Sequence, residues 1–345
     1  MYIGNPSLLI LKLFWYDINI ITYNNIIMSK KYIWSVIVII AVVVIGLIIF
    51  RQPKDTKTVK IGYLPTATIT ALPIWIIQQQ DLFNKAGIQV ELTPFQSSNQ
   101  ALEAVVRNDV DLVPGISSLP VYVAQLIDPK GVKGFSTMYF SKDPGDAVIV
   151  KINSPIKTLK DLEGRKVAVF PGSTATNILK DSLKKQSVDV SKVEIVPLSP
   201  TNYLEALEVG SVDALYSYEP NTSVAISSNM ARKISGSLYT GNVSDTPYAI
   251  GIISDKFITE HASLANSVIK VFKQANDYAL SHESNMRSLI AEKSKISIDA
   301  ANLMNILPTK FGSDIDMQKN DEWLNWLVSI GELKSKPDLS NFFIK

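Results

Sequence analysis

The chain has 345 residues, a formal net charge of +2 and no cysteine. This length is enough for two domains that each bury a core of their own. Lysine and arginine are spread along the chain without a basic block, so we expect no nucleic-acid partner, and the lack of cysteine excludes disulfides, thiolate metal sites, cysteine nucleophiles and a lipid-modified N-terminal cysteine.

The first predicted element is an apolar membrane helix over residues 33–50. This run, IWSVIVIIAVVVIGLIIF, has 18 residues without a charge and basic residues on both sides. It can just span a bilayer core, and it ends without the small-residue site of a cleaved signal peptide. We therefore predict an uncleaved signal anchor and linker over residues 28–58, with a buried soluble helix as the alternative. Residues 1–27 are predicted to be an N-terminal extension or disordered, and a second membrane segment over 8–27 is the lesser option.

From Val59 onward the sequence alternates between strand and helix patterns. Strands are predicted at TVKIGYL, IQVEL, DVDLVP and VKGFSTMYF, and helices at PIWIIQQQDLFNKA, SNQALEAVVRN and SLPVYVAQLI. Pro73 is expected to open the first of these helices and Gly87 to stop it. Such βαβ alternation is typical of a mostly parallel sheet with helices on both faces.

The same unit then occurs a second time. Four segments match in the same order: 60–65 (KIGYLP) with 166–171 (KVAVFP), 90–94 with 193–197, 102–104 with 204–206, and 110–111 with 212–213. Ordered matches of this kind predict two lobes of one topology. Two independent domains in series are the alternative.

Facing lobes would enclose a ligand cleft. Ligands of open α/β sheets bind outside the carboxyl ends of the strands, so residues 66–70 would lie opposite 173–176 and closure would exclude water. The simplest assignment places 59–147 and the returning segment 248–345, which ends in C-terminal helices, in lobe one. Residues 148–247 then form lobe two.

The stretch FPGSTATNILK places Ser173 and Thr174 at a helix start directly after a strand. Free backbone N–H groups and hydroxyls at such a start can bind an anion. The alternative is that one of these residues is only an N-cap. The motif contains no arginine, and no basic residue lies near the turn, which suits a singly charged sulfonate or carboxylate better than a phosphate.

Small polar residues at the other strand ends are further ligand candidates. They are Thr66, Thr68, Ser98 and Ser117. Each could instead serve the loop or cap the helix that follows, and one of residues 97–99 must act as such a cap.

Tyr218 and Glu219 complete the predicted site. The Glu219 carboxylate could bind an amino group of a ligand; alternatively it supports the first turn of a helix that has Pro220 near its start. We expect Tyr216 and Tyr218 to face opposite sides of their strand, so that only Tyr218 lines the cleft.

At these motifs the chain resembles a known family. IGYLPTATITALPIWIIQQQDLFNKAGIQVEL, SPIKTLKDLEGRKVAVFPGSTATNILK and VDALYSYEP are similar to segments of the nitrate/sulfonate/taurine-type solute-binding proteins of ABC importers, which also resemble thiamine-pyrimidine-precursor-binding proteins. The resemblance covers about residues 59–330 and implies a bilobal α/β fold of the type II periplasmic-binding-protein class. In relatives that bind alkanesulfonates the Gly-Ser-Thr turn holds the oxyanion, which would assign Ser173 and Thr174. The chain departs from the family where Tyr218 replaces the usual tryptophan and where a membrane helix replaces a lipid or cleaved signal.

The resemblance implies an extracytoplasmic solute-binding protein. Together with the predicted signal anchor, it leads us to expect a monomer tethered to the extracytoplasmic face of the membrane by its N-terminal helix. It would capture a small organic anion, sulfonate-like or amino-bearing, and deliver it to ABC permease and ATPase subunits. A tethered ligand sensor and a binder of a thiamine pyrimidine precursor are the alternatives.

Catalysis has little support in the sequence. His261 and His282 are isolated in polar helical segments, and metal-spaced clusters, a Gly-x-Ser-x-Gly elbow and a phosphate-cradling loop are all missing. We therefore expect no enzyme activity, cofactor or metal. Trp323 and Trp326 are expected to pack in a core.

Overall fold

The structure, a computed structural model, describes residue 38 and residues 57–140, 145–171 and 173–344. The predicted signal anchor and N-terminal extension lie outside this part of the chain, apart from residue 38. In the part that is described, no helix combines the length and the apolar character needed to cross a membrane.

Within the described ranges the strands are, in chain order, β1 (Val59–Tyr63), β2 (Val90–Pro94), β3 (Leu112–Ser117), β4 (Val132–Phe140), β5 (Asp146–Lys151), β6 (Lys166–Val169), β7 (Glu194–Pro197), β8 (Ala214–Tyr218), β9 (Ala231–Lys233), β10 (Thr246–Ser254) and β11 (Thr309–Phe311). The helices are α1 (Thr68–Gln80), α2 (Leu82–Lys85), α3 (Ser98–Val106), α4 (Ser118–Ile127), α5 (Ser173–Lys185), α6 (Tyr203–Val209), α7 (Asn221–Ser227), α8 (Asp255–Glu260), α9 (Ala262–Ser281), α10 (Glu283–Ser294), α11 (Ile298–Leu303) and α12 (Met317–Ser329). Short 3-10 helices cover Leu159–Leu162, Val190–Lys192, Pro200–Asn202 and Gly312–Asp314.

The strands form two sheets, and we call the parts of the chain built on them lobe one and lobe two. Lobe one has the strand order β11-β4-β10-β3-β1-β2, and lobe two has the order β7-β6-β8-β5-β9. The strands therefore confirm a bilobal α/β fold. Residues 59–140 and 246–311 supply the first sheet, and residues 146–233 supply the second.

The prediction of mostly parallel sheets is wrong, because both sheets are mixed. β1 pairs in parallel with β2 and β3, and β6 pairs in parallel with β7 and β8. β10 is antiparallel to β3 and β4, and β5 is antiparallel to β8 and β9. β5 and β10 each enter directly from the other sheet without a crossover helix, so the connection that enforces parallel pairing is missing.

The predicted repeat is visible in the hydrogen bonds of the two parallel strand trios. The Lys60 N–H donates to the carboxylate of Asp111 at 2.8 Å, and the Lys166 N–H donates to the carboxylate of Asp213 at 2.8 Å. The order β2-β1-β3 in lobe one corresponds to β7-β6-β8 in lobe two. The two lobes therefore share this part of their topology, as the ordered sequence matches predict.

Helix α1 begins at Thr68 rather than at Pro73, so the predicted helix start is wrong. Pro73 lies inside the helix, and the segment from Thr68 to Ile77 buries most of its side chains. Ala71 and Leu72 precede Pro73, and their burial in the core of lobe one favours extending the helix towards its N-terminus. This places Thr68 in a helix instead of a loop.

Helix α12 packs into a core that both lobes share. Trp323, Trp326 and Leu327 of α12 belong to the same buried cluster as Ile178 and Leu179 of α5. The expectation that the two tryptophans pack in a core is confirmed. A helix of lobe one is thus packed against the helix that follows β6 in lobe two.

Asp146 joins the two connections between the lobes. It is the first residue of β5 and is fully buried. Its carboxylate accepts hydrogen bonds from the Tyr216 hydroxyl at 2.9 Å, from the Leu238 N–H at 2.9 Å and from the Ser237 hydroxyl. Because residues 237–238 lie on the path back to β10, this carboxylate fixes both connections at one point.

Candidate functional site

The start of α5 holds a carboxylate. Ala175, Ile178 and Leu179 face the core, and this leaves Thr174 and Asn177 together on another side of the helix. The Thr174 hydroxyl donates to Glu332 Oε2 at 3.2 Å, and the Asn177 amide donates to Glu332 Oε1. The predicted ligand residue Thr174 therefore binds an anionic group that the chain itself supplies.

Ser173 opens α5, and Phe170 and Pro171 lie just before it. The Phe170 side chain is 49% exposed, so an apolar surface lies next to this helix start. The Ser173 side chain lies outside the described part of the structure, so its ligand role stays a prediction.

Glu332 reaches this helix because α12 is fixed to lobe one just before it. Asn320 of α12 is fully buried, accepts a hydrogen bond from the Tyr122 hydroxyl at 2.7 Å and donates one to the Tyr139 hydroxyl at 3.2 Å. Further along, the Trp326 indole donates to Asp181 of α5 at 3.1 Å. The C-terminal helix thus contacts lobe one at its start and lobe two at its end.

The candidates at the start of α1 are placed differently. Thr66 is exposed, whereas Thr68 is 3% exposed and its hydroxyl lies 3.0 Å from the Ser294 hydroxyl at the end of α10. The Thr70 hydroxyl donates to the Ala67 carbonyl at 3.2 Å. The hydrogen bonds of Thr68 and Thr70 therefore stay within lobe one.

The structure brings Ser98 and Ser117 together. The Ser117 N–H donates to the Ser98 hydroxyl at 3.1 Å. Ser97 caps α3 by accepting from the Gln100 N–H at 3.3 Å, which confirms that one residue of 97–99 acts as the cap. Ser117 precedes α4 without a side-chain capping bond, so it does not serve as the alternative cap.

Tyr216 and Tyr218 lie on the same face of β8, and the expectation of opposite faces is wrong. Their ring centroids are 5.1 Å apart, because residues two apart on a strand point to the same side. The half-buried Tyr218 also lies 6.3 Å from the Tyr239 ring, which in turn lies 5.6 Å from Trp323. Burial, together with the neighbouring Tyr239 and Asp146, raises the pKa of Tyr218 well above its ordinary value, so its hydroxyl is neutral.

Glu219 supports the first turn of α7. Its carboxylate accepts a hydrogen bond from the Ser223 N–H at 3.2 Å. This is the helix-start role that the sequence leaves open as the alternative. Binding of a ligand amine by Glu219 stays a prediction.

A second contact between the lobes lies at α7. Helix α11 of lobe one packs on α7 of lobe two. Ala300 in α11 and Thr222 and Ser223 in α7 are buried. Small side chains allow the two short helices to approach closely, so the lobes meet here as well as at Glu332.

A cavity of about 480 Å³ lies on lobe two and is lined by residues that include Ser182, Lys185 and Asn242. Ser182 and Lys185 lie at the C-terminal end of α5, where helix carbonyls repel anions. Lys185 is paired with Asp181 at 2.9 Å and also bonds to Asn242. This cavity therefore fits an anion less well than the start of the same helix.

Sequence reasoning missed Asn177, Glu332 and Tyr239. Asn177 follows Thr174 at the spacing that puts two side chains on one helix face, and this signal could have identified it. Glu332 is 158 residues from Thr174 and carries no local signal. In the described ranges, no group of three or more histidine, aspartate and glutamate side chains could hold a metal ion.

The comparisons with known proteins agree with this architecture. A candidate aliphatic sulfonates-binding protein of Bacillus subtilis (strain 168) is 27% identical over 297 residues, which cover 84% of this chain and 81% of the relative. The periplasmic aliphatic sulphonate-binding protein of Escherichia coli has the same fold with a TM-score of 0.67 at 19% identity, covering 84% of this chain and 93% of that protein. A desulfurization enzyme also shares the fold, with a TM-score of 0.61 at 17% identity, covering 83% of this chain and 96% of the enzyme.

The two solved structures support a bilobal periplasmic-binding-protein-like fold. Proteins of this fold include both binding proteins and an enzyme. The resemblance to sulfonate- and taurine-type solute-binding proteins is confirmed, because curated relatives carry those names. A family model described as NMT1/THI5 like matches residues 69–285, more than half of the chain. The chain belongs to the NMT1/THI5-like family.

Proposed function

We propose that this protein is an extracytoplasmic solute-binding protein of an ABC importer. It captures a small organic anion, sulfonate-like or amino-bearing, between its two lobes. One observation carries the choice of an anion: the Thr174 hydroxyl and the Asn177 amide at the start of α5 bind the Glu332 carboxylate. A carboxylate and a sulfonate are both singly charged oxyanions, so these donors suit either group.

The geometry of α5 supports this capture step. The partial positive charge at the helix N-terminus and the two neutral donors each contribute modestly to anion binding. Neutral donors favour an ion with one negative charge, because a phosphate normally needs arginine or lysine to offset its second charge. Closure of lobe one over lobe two then excludes water and strengthens these contacts. The closed form would dock on the permease subunits.

The apolar run at residues 33–50 would tether the binding domain to the extracytoplasmic face of the membrane. A tethered monomer stays close to its permease, which raises the effective concentration of the two partners. This part of the proposal depends on the sequence alone.

A ligand screen tests the proposed function. The protein is heated with ethanesulfonate, taurine, nitrate, bicarbonate or a hydroxymethylpyrimidine, and its melting temperature is measured. We expect one chemical class to raise the melting temperature, since a ligand at 100 times its dissociation constant adds about 2.7 kcal/mol of stability. The absence of a shift with every compound would contradict the proposal.

The aromatic side chains support a second candidate ligand. Tyr218 is half-buried beside Tyr239, and Tyr239 contacts Trp323. Tyr239 and Trp323 are buried and support Tyr218, whose ring could stack on a flat ring such as that of a thiamine pyrimidine precursor. In the screen, a shift with the pyrimidine but not with the sulfonates would favour this candidate.

A further inference from the structure

We infer that Glu332 is an internal competitor of the solute: an oxyanion that binds at the start of α5 must displace its carboxylate. This inference rests on the proposed function. It assigns a residue of the C-terminal segment to the control of affinity in the cleft.

The competition follows from the number of donor hydrogens. The Thr174 hydroxyl has a single proton, and it is donated to Glu332 Oε2 at 3.2 Å. The Asn177 amide nitrogen donates to Glu332 Oε1 from one turn further along the helix. A solute oxyanion that uses the Thr174 proton must take it from Glu332.

Charge acts in the same direction as the hydrogen bonds. Glu332 is half-buried, so its carboxylate is less well screened than one on the open surface. A second anion within a few ångströms of it would be repelled. The solute and the Glu332 carboxylate therefore exclude each other from this place.

The fixed position of α12 makes Glu332 an effective competitor. Asn320 and Trp323 hold the helix on lobe one, through Tyr122 and through the Ser118 hydroxyl at 3.3 Å. Glu332 follows this helix closely and is brought to α5 at little entropic cost. Displacing Glu332 also breaks a contact between the lobes, so binding is coupled to their relative position.

Isothermal titration with ethanesulfonate tests the competition. Glu332→Gln removes the charge and keeps the shape, and Glu332→Ala removes the acceptor as well. We expect each variant to bind ethanesulfonate about tenfold more tightly than the unchanged protein, which corresponds to about 1.4 kcal/mol. Circular dichroism and the melting temperature of each variant confirm that it is folded.

Glu322→Gln is the matched control. Glu322 lies on α12 and pairs with Lys319 at 2.8 Å, so this change alters the net charge equally without touching α5. Its affinity for ethanesulfonate should stay within about twofold of the unchanged protein, as expected for an exposed charge. In a Thr174→Val background, Glu332→Gln should raise the affinity for ethanesulfonate by less than about threefold. The hydroxyl proton for which Glu332 and the solute compete is absent from that background.

The outcomes separate the inference from the proposed function. If the unchanged protein binds ethanesulfonate and both Glu332 variants bind it equally or more weakly, Glu332 is not a competitor and the proposed function stands. An undiminished gain in the Thr174→Val background also overturns the inference. If neither the unchanged protein nor the variants bind ethanesulfonate, the inference fails, and the sulfonate form of the proposed function fails with it.

Discussion

The equivalent helix starts of the two lobes are used in different ways. α1 follows β1 and α5 follows β6, and both starts carry threonines after a proline. Thr68 is buried and pairs with Ser294 in its own lobe, whereas Thr174 pairs with Glu332 from the opposite lobe. A repeated sequence motif therefore predicts equivalent positions in the fold without predicting equivalent roles.

The path of the chain explains the difference. The chain returns to lobe one at β10, and α10 then packs on α1, so lobe one covers its own helix start. The start of α5 is instead reached by the residues that follow α12, a helix fixed on lobe one. Under the proposed function, lobe two would bind the charged end of the solute and lobe one would mainly contribute shape.

The largest expected effect is a difference in ethanesulfonate affinity between variants of Thr174 and Thr68. Thr174→Val removes a donor to an anion, and hydrogen bonds to charged groups contribute about 1.5–3 kcal/mol, so the affinity for ethanesulfonate should fall roughly 10- to 100-fold. Thr68→Val should leave the affinity within about threefold and lower the free energy of unfolding by about 1 kcal/mol, because the Ser294 hydroxyl loses its partner.

Titration calorimetry and urea unfolding of both variants measure these two quantities. A loss of affinity in Thr68→Val as large as that in Thr174→Val would show that both lobes bind the charged group. If Thr174→Val lowers stability and leaves affinity unchanged, the start of α5 is only a structural contact.

The sequence pattern was sufficient for the parts of the fold that depend on local periodicity. The alternation of strands and helices predicts the parallel trios, and the equivalent residues Asp111 and Asp213 make the same bond in each lobe. The direction of β5 and β10 could not be predicted in this way. These strands arrive from the other lobe, and their pairing depends on the position of a sheet formed by distant residues.

The candidate site was predictable only where one segment of the chain forms it. The motif around Thr174 identifies the helix start, and its i+3 neighbour Asn177 lies on the same side of the helix. Glu332 approaches from a turn beyond α12, and only the packing of α12 between the lobes places it there. The error over Tyr216 and Tyr218 was avoidable, since a period of two puts both rings on one face.

A smaller effect is expected in the distance between the lobes. The chain has no cysteine, so Asn99→Cys and Thr201→Cys can be labelled with fluorophores without background. These exposed positions follow β2 and β7, at the carboxyl ends of the two sheets. Glu332→Gln weakens a charge-assisted bond between the lobes. Without ligand, it should therefore raise the ratio of open molecules, with the longer distance, to closed molecules by up to about tenfold. Equal distance distributions with and without Glu332→Gln would show that this bond does not hold the lobes together.

The smallest effect concerns Asp146, which connects the lobes rather than binding solute. Burial raises the pKa of Asp146 above its ordinary value, and the bonds from Ser237 and Tyr216 offset this only in part. The folded protein therefore binds a proton more tightly than the unfolded chain, and the contribution of Asp146 to stability falls as pH rises from about 4 towards the raised pKa.

Asp146→Asn cannot titrate, and its side-chain oxygen can still accept hydrogen bonds from Tyr216 and Leu238. The free energy of unfolding of the unchanged protein, minus that of this variant, should decrease across the same pH range. Urea unfolding at several pH values measures this difference. A difference that stays constant with pH would mean that Asp146 ionises in the folded protein as readily as in the unfolded chain. Its contacts with Tyr216 and Leu238 would then compensate fully for its burial, and the connection between the lobes would be insensitive to pH.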